Sequence, residues 1–379
     1  EDEEEEEDTK KKKNKTTNYG KIATAIGTMQ QRGIIVSPPN INKSSFTFIP
    51  DVENNIILYG IKGINKIGSD LVKDIIQNRP YSSILDFTSK VKINKPQMVN
   101  LIKSGAFDNF GENREKIMRD YVGSISDQKK RLTLQNMQML INYEMFPSYL
   151  DQEVKVYNFT KYIRKHKNCD YYMLDEIAYK FYKENYDEDN LDFVNENYVA
   201  RIGIKAWDKV YNTEMEAVRA YIKQNHDKML EELNNKLMGD TWDKYCAGSL
   251  SKWEMDSISF YCHEHELANV PEDIYQISNF FKMPEDPIID RIIPIGGREV
   301  PLYKLEKIVG TVLDKNKTKN SVSLLTKYGV VQVKIYQSQV GKYDKQISMK
   351  MPDGKKKVME KSWFSRGNKL MLIGIRRGD

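Results

Sequence analysis

Between Tyr59 and Arg79 a short apolar run, Tyr59-Gly60-Ile61-Lys62-Gly63-Ile64-Asn65-Lys66-Ile67-Gly68-Ser69, turns at Lys66-Ile67-Gly68 and passes into residues that place Leu71, Val72, Ile75 and Ile76 at helical spacing. A sharp turn feeding a helix restricts the backbone to few conformations. It also leaves the first-turn N–H groups facing outward, where an anion can accept them. Gly68 presents no side chain to obstruct a phosphate approaching that turn. An ordinary turn into a core helix would use the same glycine, so the residues of this run alone leave both readings open. The first is the logic of a helix-hairpin-helix element, which touches phosphates and carries no sequence code.

The flanking segments follow in a set order. Gly33-Ile-Ile-Val-Ser-Pro-Pro-Asn-Ile-Asn-Lys-Ser44 comes first, then Phe46 and Phe48, then the Tyr59 to Arg79 run, then Leu101-Ile-Lys-Ser-Gly-Ala-Phe-Asp108. In order and spacing these resemble the alpha subunit of bacterial replicative DNA polymerase III. Two later pieces agree: Trp253-Glu254, Phe260-Tyr261 and His263-Glu-His265-Glu-Leu267 look like that family's linker, and the last stretch looks like its OB domain. The resemblance covers about residues 19–120, 245–270 and 300–379, and is absent through 121–244.

It implies the carboxy-terminal region of such a polymerase, with a tandem helix-hairpin-helix domain on the duplex behind an active site. The family usually has glycine at both ends of the hairpin, and Lys66 stands at the first. If that position needs positive φ, lysine costs about 1 kcal/mol there. Its charge then compensates by meeting phosphate directly. Asp70 suits the helix dipole but repels phosphate. The grip is therefore expected from Lys62, Lys66, Gly68, Ser69 and Lys73.

Charge narrows the class of partner. The chain has 59 Lys and Arg against 54 Asp and Glu, and residues 1–8 are all acidic, so the rest carries +13. Residues 301–379 hold 18 basic against 6 acidic side chains, nearly the whole excess. A basic balance concentrated in one region is the footprint of a nucleic-acid surface; a solubilising lysine-rich surface is the alternative. Cys169, Cys246 and Cys262 are too widely spaced for a disulfide framework and point to a reducing compartment, the cytoplasm of a bacterium or of a phage-infected host. No apolar run approaches a membrane span, so no membrane partner is expected. The first residue is Glu1, not Met, which suggests an excerpt, a processed product or part of a longer reading frame.

The expected fold is multidomain α+β, with room for two or three domains in 379 residues. Residues 1–18 read as a charged, disordered linker. Residues 19–125 read as the end of a fingers-like region plus the helix-hairpin-helix domain, with a helix from Asn18 to Arg32, a β-hairpin of Ser45–Ile49 with Ile56–Tyr59, and helices at Asp70–Asn78, Ile84–Val91, Lys95–Ser104 and Arg114–Val122. Residues 126–298 read as a helical linker domain, its clearest helix running from about Thr213 to Met238 with His226 on the apolar stripe. Pro284, Pro287, Pro294 and Gly296-Gly297 mark the boundary to residues 299–379. There Lys307–Leu313, Ser321–Thr326, Val330–Tyr336 and Leu370–Ile375 read as strands of a partly open OB barrel. Such barrels hold single strands with a basic groove and aromatic platforms. Lys315, Lys317, Lys319, Lys334, Lys361 and Arg366 are the candidate charges, and Tyr328, Tyr336, Trp363 and Phe364 the candidate rings, about half of them facing the core.

Catalytic chemistry is not evident in these residues. Polymerase palms hold metal ions with aspartates at alternate positions of a strand, and no such string occurs; Asp187-Glu188-Asp189 sits in a polar loop. Catalysis and its Mg2+ are therefore expected in a polymerase region in cis or on a separate chain, with no cofactor and no metal in this one. Cys262-His263-Glu264-His265 gathers zinc-ligand types but lacks the usual paired spacing, and the resemblance implies packing for His265. Gln276-Ile-Ser-Asn-Phe-Phe281 has the look of a sliding-clamp peptide, with Gln276, Phe280 and Phe281 as its anchors, although the family places that peptide before the linker histidine; a helix end with both rings packed inward is the alternative. The partners expected are duplex primer-template, single-stranded template, the polymerase region and a sliding clamp. The competing reading is a self-contained DNA-binding or repair accessory protein.

Overall fold

The structure, a computed structural model, describes residues 19–193, 199–351 and 356–377. Its contacts divide the chain into two units, one built from residues 1–121 together with 245–379 and the other from 122–244. The sequence boundaries at 125/126 and 298/299 do not coincide with this division. The unit of 122–244 nearly coincides instead with residues 121–244, where the sequence motifs showed no resemblance.

In the first unit, α1 (Tyr19–Gln31) ends before Gly33, whose φ is +75°. A three-stranded sheet follows, with β1 (Val36–Ser37) parallel to β3 (Ile56–Leu58) and β2 (Ile49–Asp51) antiparallel to β3. The β-hairpin expected at 45–49 thus begins at Ile49. Ser45 and Phe46 instead accept hydrogen bonds from the backbone N–H groups of Ile61 and Lys62. Gly60 permits this approach, since a Cβ there would lie 2.5 Å from the Thr47 carbonyl carbon.

Four helices follow: α2 (Ser69–Gln77), α3 (Ile84–Lys90), α4 (Lys95–Lys103) and α5 (Arg114–Ile125). Each lies within a few residues of its expected span because its ends are set locally. Ser83 accepts from the Asp86 N–H at 3.1 Å to start α3, and Asn94 and Gln97 form a capping box that starts α4. Val72, Ile75, Phe87, Met98, Leu101 and Phe107 are buried, with Phe87 making edge contacts to Tyr81 and Phe107 at 5.0 and 5.1 Å.

The second unit contains α6 (Met137–Asn142), α7 (Asp151–Arg164), β4 (Lys167–Asn168), β5 (Tyr171–Leu174), α8 (Glu176–Asn185), β6 (Leu191–Phe193), β7 (Ala200–Gly203), α9 (Ile204–Gln224) and α10 (His226–Tyr245). Its strands form an antiparallel sheet in the order β4-β5-β7-β6. A purely helical centre is therefore corrected: strands of two to four residues are too short to show period-2 alternation. The single helix expected from Thr213 to Met238 is two, separated at Asn225, and the first begins at Ile204. His226 accepts the Leu132 backbone N–H at its Nε2, 3.2 Å away, and so serves packing. Trp207 lies at the centre of the core, its Nε1 donating to the Thr160 hydroxyl at 3.0 Å.

The first unit resumes with α11 (Leu250–Ile258), α12 (Glu272–Tyr275) and a hairpin of β8 (Ile289–Ile295) and β9 (Arg298–Tyr303). The Pro- and Gly-rich boundary expected near 284–297 therefore contains a strand and its turn, with Gly296 and Gly297 both at positive φ. Then come β10 (Glu306–Asn316), β11 (Ser321–Thr326), β12 (Gly329–Lys334), α13 (Gln337–Tyr343), β13 (Ile347–Lys350), β14 (Lys356–Glu360) and β15 (Lys369–Gly374). An antiparallel sheet runs β12-β11-β10-β15, and α1 lies against β10 and β12. Among the described residues this sheet does not close into a barrel. β13 and β14 pair with each other and leave β12 and β15 as edges. The architecture is α+β, with a helical hairpin region and a separate β region.

Candidate nucleic-acid interface

The turn before α2 has the geometry its glycines foretell, with one substitution of roles. Lys66 has φ +65°, in the left-handed region that favours glycine, whereas Gly68 is extended at φ −80° and ψ 162°. Gly68 is thus not needed for backbone strain. A Cβ there would meet nothing within 4 Å, so its missing side chain keeps open the space in front of α2. Gly68 makes no side-chain cap, and the first-turn N–H groups of α2 face that space. Lys66, Ser69 and Lys73 are exposed around it. Lys62 is differently engaged, its Nζ donating to the Ile67 carbonyl at 3.1 Å and bridging the turn.

A second turn, Val91 to Asn94, enters α4 in the same manner, and the sequence reading did not single it out. Its N-terminus is closed by the Asn94–Gln97 box, so the two turns differ in what they can offer an anion: α2 is open and α4 is satisfied. The signal was present in the Asn-x-x-Gln spacing.

Strain at Lys66 has a measurable consequence. Lys66→Gly removes about 1 kcal/mol of steric cost and adds a comparable amount of unfolded-chain entropy, so stability by denaturant titration is expected to stay within about 1 kcal/mol while duplex affinity falls. A loss well beyond that would assign Lys66 to holding the turn rather than to a ligand.

The open turn is braced from α11. Asn65 N–H donates to the Ser257 carbonyl at 2.7 Å, the Tyr59 hydroxyl donates to the Ile258 carbonyl at 2.9 Å, and Lys103 pairs with Asp256 at 3.4 Å. α11 is anchored in turn by Glu254, which is fully buried. Its carboxylate accepts from Arg114 Nη1 at 3.1 Å, from the Cys262 and His263 backbone N–H groups at 2.9 and 3.1 Å, and contacts His263 Nδ1 at 2.6 Å. Burial pulls the Arg114 guanidinium down, but Asp108 and Glu254 outweigh it and hold it above its ordinary value. His265 donates from Nε2 to the Leu325 carbonyl at 2.9 Å and accepts the Leu267 N–H at Nδ1, which fixes a neutral tautomer; burial lowers its pKa accordingly. Burial also raises the Cys262 thiol well above its usual range. Cys262, Glu254, His263 and His265 thus hold α11 and the β region together, and no group of three or more metal-ligating side chains occurs among the described residues.

The β-region candidates separate into free and engaged side chains. Tyr336 is 79% exposed and Trp363 48% exposed, the latter bonded through Nε1 to Glu360 at 2.8 Å. Lys319, Lys334 and Lys361 are exposed, as is Lys317, 4.0 Å from Asp344. Lys315 is paired with Asp344. The Tyr328 hydroxyl donates to Glu272 at 2.7 Å. Phe364 is a core residue with Val312, Val322 and Leu324. Arg366 Nη2 donates to the Met255 and Asp256 carbonyls at 3.2 and 3.1 Å, at the C-terminal end of α11.

The Gln276 segment is docked on β10. Ile277 bridges Lys307, Ser278 N–H donates to the Lys307 carbonyl at 2.7 Å, and Gln276 sits at φ +56°. Phe280 packs against the β core under Arg376, and Phe281 faces outward. Asp187, Glu188 and Asp189 lie at a short 3-10 turn, where Glu188 accepts a hydrogen bond from the Tyr179 hydroxyl.

Charge is sorted between the two units. Residues 122–244 carry 18 Lys and Arg against 21 Asp and Glu, so the basic excess lies entirely in the unit that holds the open turn and the β region. No helix among the described residues is long and apolar enough to cross a membrane.

Residues 33–117 match the helix-hairpin-helix motif family, a span that contains both turns. Over 96% of its length the chain is 42% identical to a probable DNA polymerase, YorL, of Bacillus subtilis strain 168, and equally to a DNA-directed DNA polymerase of Bacillus phage SPbeta. It is 36% identical over 27% of its length to the DNA polymerase III subunit alpha of Bacillus subtilis. The chain spans 28% of the length of the first two relatives and the matched segment 9% of the third. Over nearly its whole length the chain is thus similar to bacterial and phage DNA polymerases, and over 27% of it to a DNA polymerase III subunit alpha.

Proposed function

We propose that this chain is a non-catalytic, DNA-holding part of a DNA polymerase III alpha-type polymerase. The observation that carries the reading is the uncapped start of α2 behind Gly68, with Lys66, Ser69 and Lys73 around it, inside a region matched to the helix-hairpin-helix family. Backbone N–H groups and lysines at that point complement the phosphates of a primer-template duplex and discriminate no base. The β region supports a second contact. On this reading the three-strand meander, β10 to β12, followed by α13 corresponds to part of an OB arrangement, and its exposed lysines with Tyr336 and Trp363 suit single-stranded template. Nucleotide transfer and its Mg2+ belong, on this reading, to a polymerase region outside these residues. Docking of a sliding clamp at Gln276 would require the segment to leave β10.

Fluorescence anisotropy with two duplexes of unrelated sequence tests the reading. Equal affinities that fall steeply between about 50 and 200 mM salt are expected. The chain alone should incorporate no nucleotide on a primed template. Marked sequence preference, salt-insensitive binding or robust incorporation would each overturn the assignment.

A further inference from the structure

We propose that the C-terminal end of α11 is a positioning junction for the duplex grip, with Arg366 and Asn65 acting through the Asp256 carbonyl to hold Lys66 and the open start of α2 in place. The inference rests on the duplex-holding role proposed above and adds to it the residues that set the geometry of the grip. A helix leaves its last turn of carbonyls without intrahelical donors. In α11 these carbonyls run from Met255 to Ile258, and donors from two segments distant in sequence reach every one of them. Arg366 Nη2 donates to Met255 and Asp256 at 3.2 and 3.1 Å. Asn65 donates from Nδ2 to Asp256 at 3.3 Å and from its backbone N–H to Ser257 at 2.7 Å, and the Tyr59 hydroxyl donates to Ile258 at 2.9 Å.

The Asp256 carbonyl is the meeting point. It accepts a donor from the hairpin side, Asn65, and a donor from the β side, Arg366, so displacing either disturbs an oxygen that the other shares. The Asp256 side chain is fixed as well, paired with Lys103 and Lys252, each at 3.4 Å. A guanidinium at this place meets the negative end of the helix dipole, and its bonds are charge-assisted and stronger than neutral ones.

Both arms of the junction are themselves held. On the β side Phe364 is buried in the core, the Gly367 N–H donates to the Val312 carbonyl at 2.8 Å, and Asn368 Nδ2 donates to the Ser362 and Trp363 carbonyls at 3.0 and 3.1 Å. Arg366 therefore projects from a loop that is fixed on β10. On the hairpin side Asn65 is bonded through both its backbone N–H and its amide, and the next residue is Lys66 at φ +65°. A left-handed lysine persists only where its surroundings hold it, and Asn65 is the adjoining anchor. Arg366 thus acts on the grip through α11 rather than on phosphate.

The test compares the 379-residue chain with R366M, N65A and the double variant, by anisotropy of a labelled duplex at several salt concentrations and by backbone amide exchange over residues 60–69. Each single variant should lose about 5-fold in affinity, as when the competent turn falls to about a fifth of the population, with the salt slope unchanged. The double variant should lose much less than the product of the single losses, because both release one carbonyl. Amides of 60–69 should exchange faster in each single variant while those of β11 keep their protection. A slope lowered by about 0.9 in R366M would make Arg366 a phosphate contact and overturn the junction. Losses that multiply in the double variant would overturn it, as would unchanged protection of 60–69, or protection lost equally in β11, which is general loosening. N65A removes only a neutral amide and carries the same readouts if R366M does not fold. Wild-type chain that binds no duplex would remove the duplex-holding reading, while the exchange result still decides the junction.

Discussion

Glu254→Ala is expected to lower the melting temperature by about 10 °C. The carboxylate has no exposure and satisfies Arg114, two backbone N–H groups and the His263 ring together. Removing one partner of a buried ion pair costs about 3–5 kcal/mol, because the remaining charge stays buried without compensation. Arg114 retains Asp108, which is partly exposed, and the side-chain relative exposure of Arg114 is only 5%. The part-buried Cys262 and His263 N–H groups lose their acceptor at the same time, which adds to the loss by at most about 1–3 kcal/mol each. Glu254→Gln keeps the volume but turns an amide donor toward donors, so it should recover only part of the loss. Calorimetry of both variants decides the matter, and a shift below about 2 °C would show that the network is replaceable.

The second large effect falls on binding. Lys66→Glu with Lys73→Glu should reduce duplex affinity by more than about 10-fold and lower the salt slope by nearly 2, since each phosphate contact contributes about 0.9. Both side chains are exposed, and neither supports the fold through a described ion pair, so the melting temperature should hold. Oligothymidylate binding should be spared. Unchanged duplex affinity would remove the turn from the mechanism and leave the β region as the only DNA contact. Loss of duplex binding with oligothymidylate binding retained is the outcome expected of the turn.

Local rules made the helices legible. Residues 69–77, 84–90 and 95–103 have their apolar periodicity and terminating turns within a few positions of one another, and the last two their caps as well. The strand at Ser321–Thr326 was likewise readable from its own pattern and the Tyr328-Gly329 turn. The positive φ at Lys66 was a condition that the family resemblance left open, and the structure has it at +65°. The short strands of the second unit and the β8–β9 hairpin carried too few residues, or too many prolines, to register as periodic.

Which side chains are free for a ligand was not legible, because that depends on partners far along the chain. Arg366 and Lys361 look alike in sequence, yet Arg366 closes the end of α11 more than a hundred residues earlier while Lys361 is exposed. Phe364 and Trp363 are neighbours that alternate between core and solvent. Sequence by itself determined a turn into a helix at Lys66-Ile67-Gly68, the lysines beside it and the basic carboxy-terminal region, all of which rest on nearest-neighbour geometry and charge. Only the tertiary structure decided that Glu254 and Arg114, 140 positions apart, lock α11 behind that turn, because a buried ion pair is created by packing rather than by spacing.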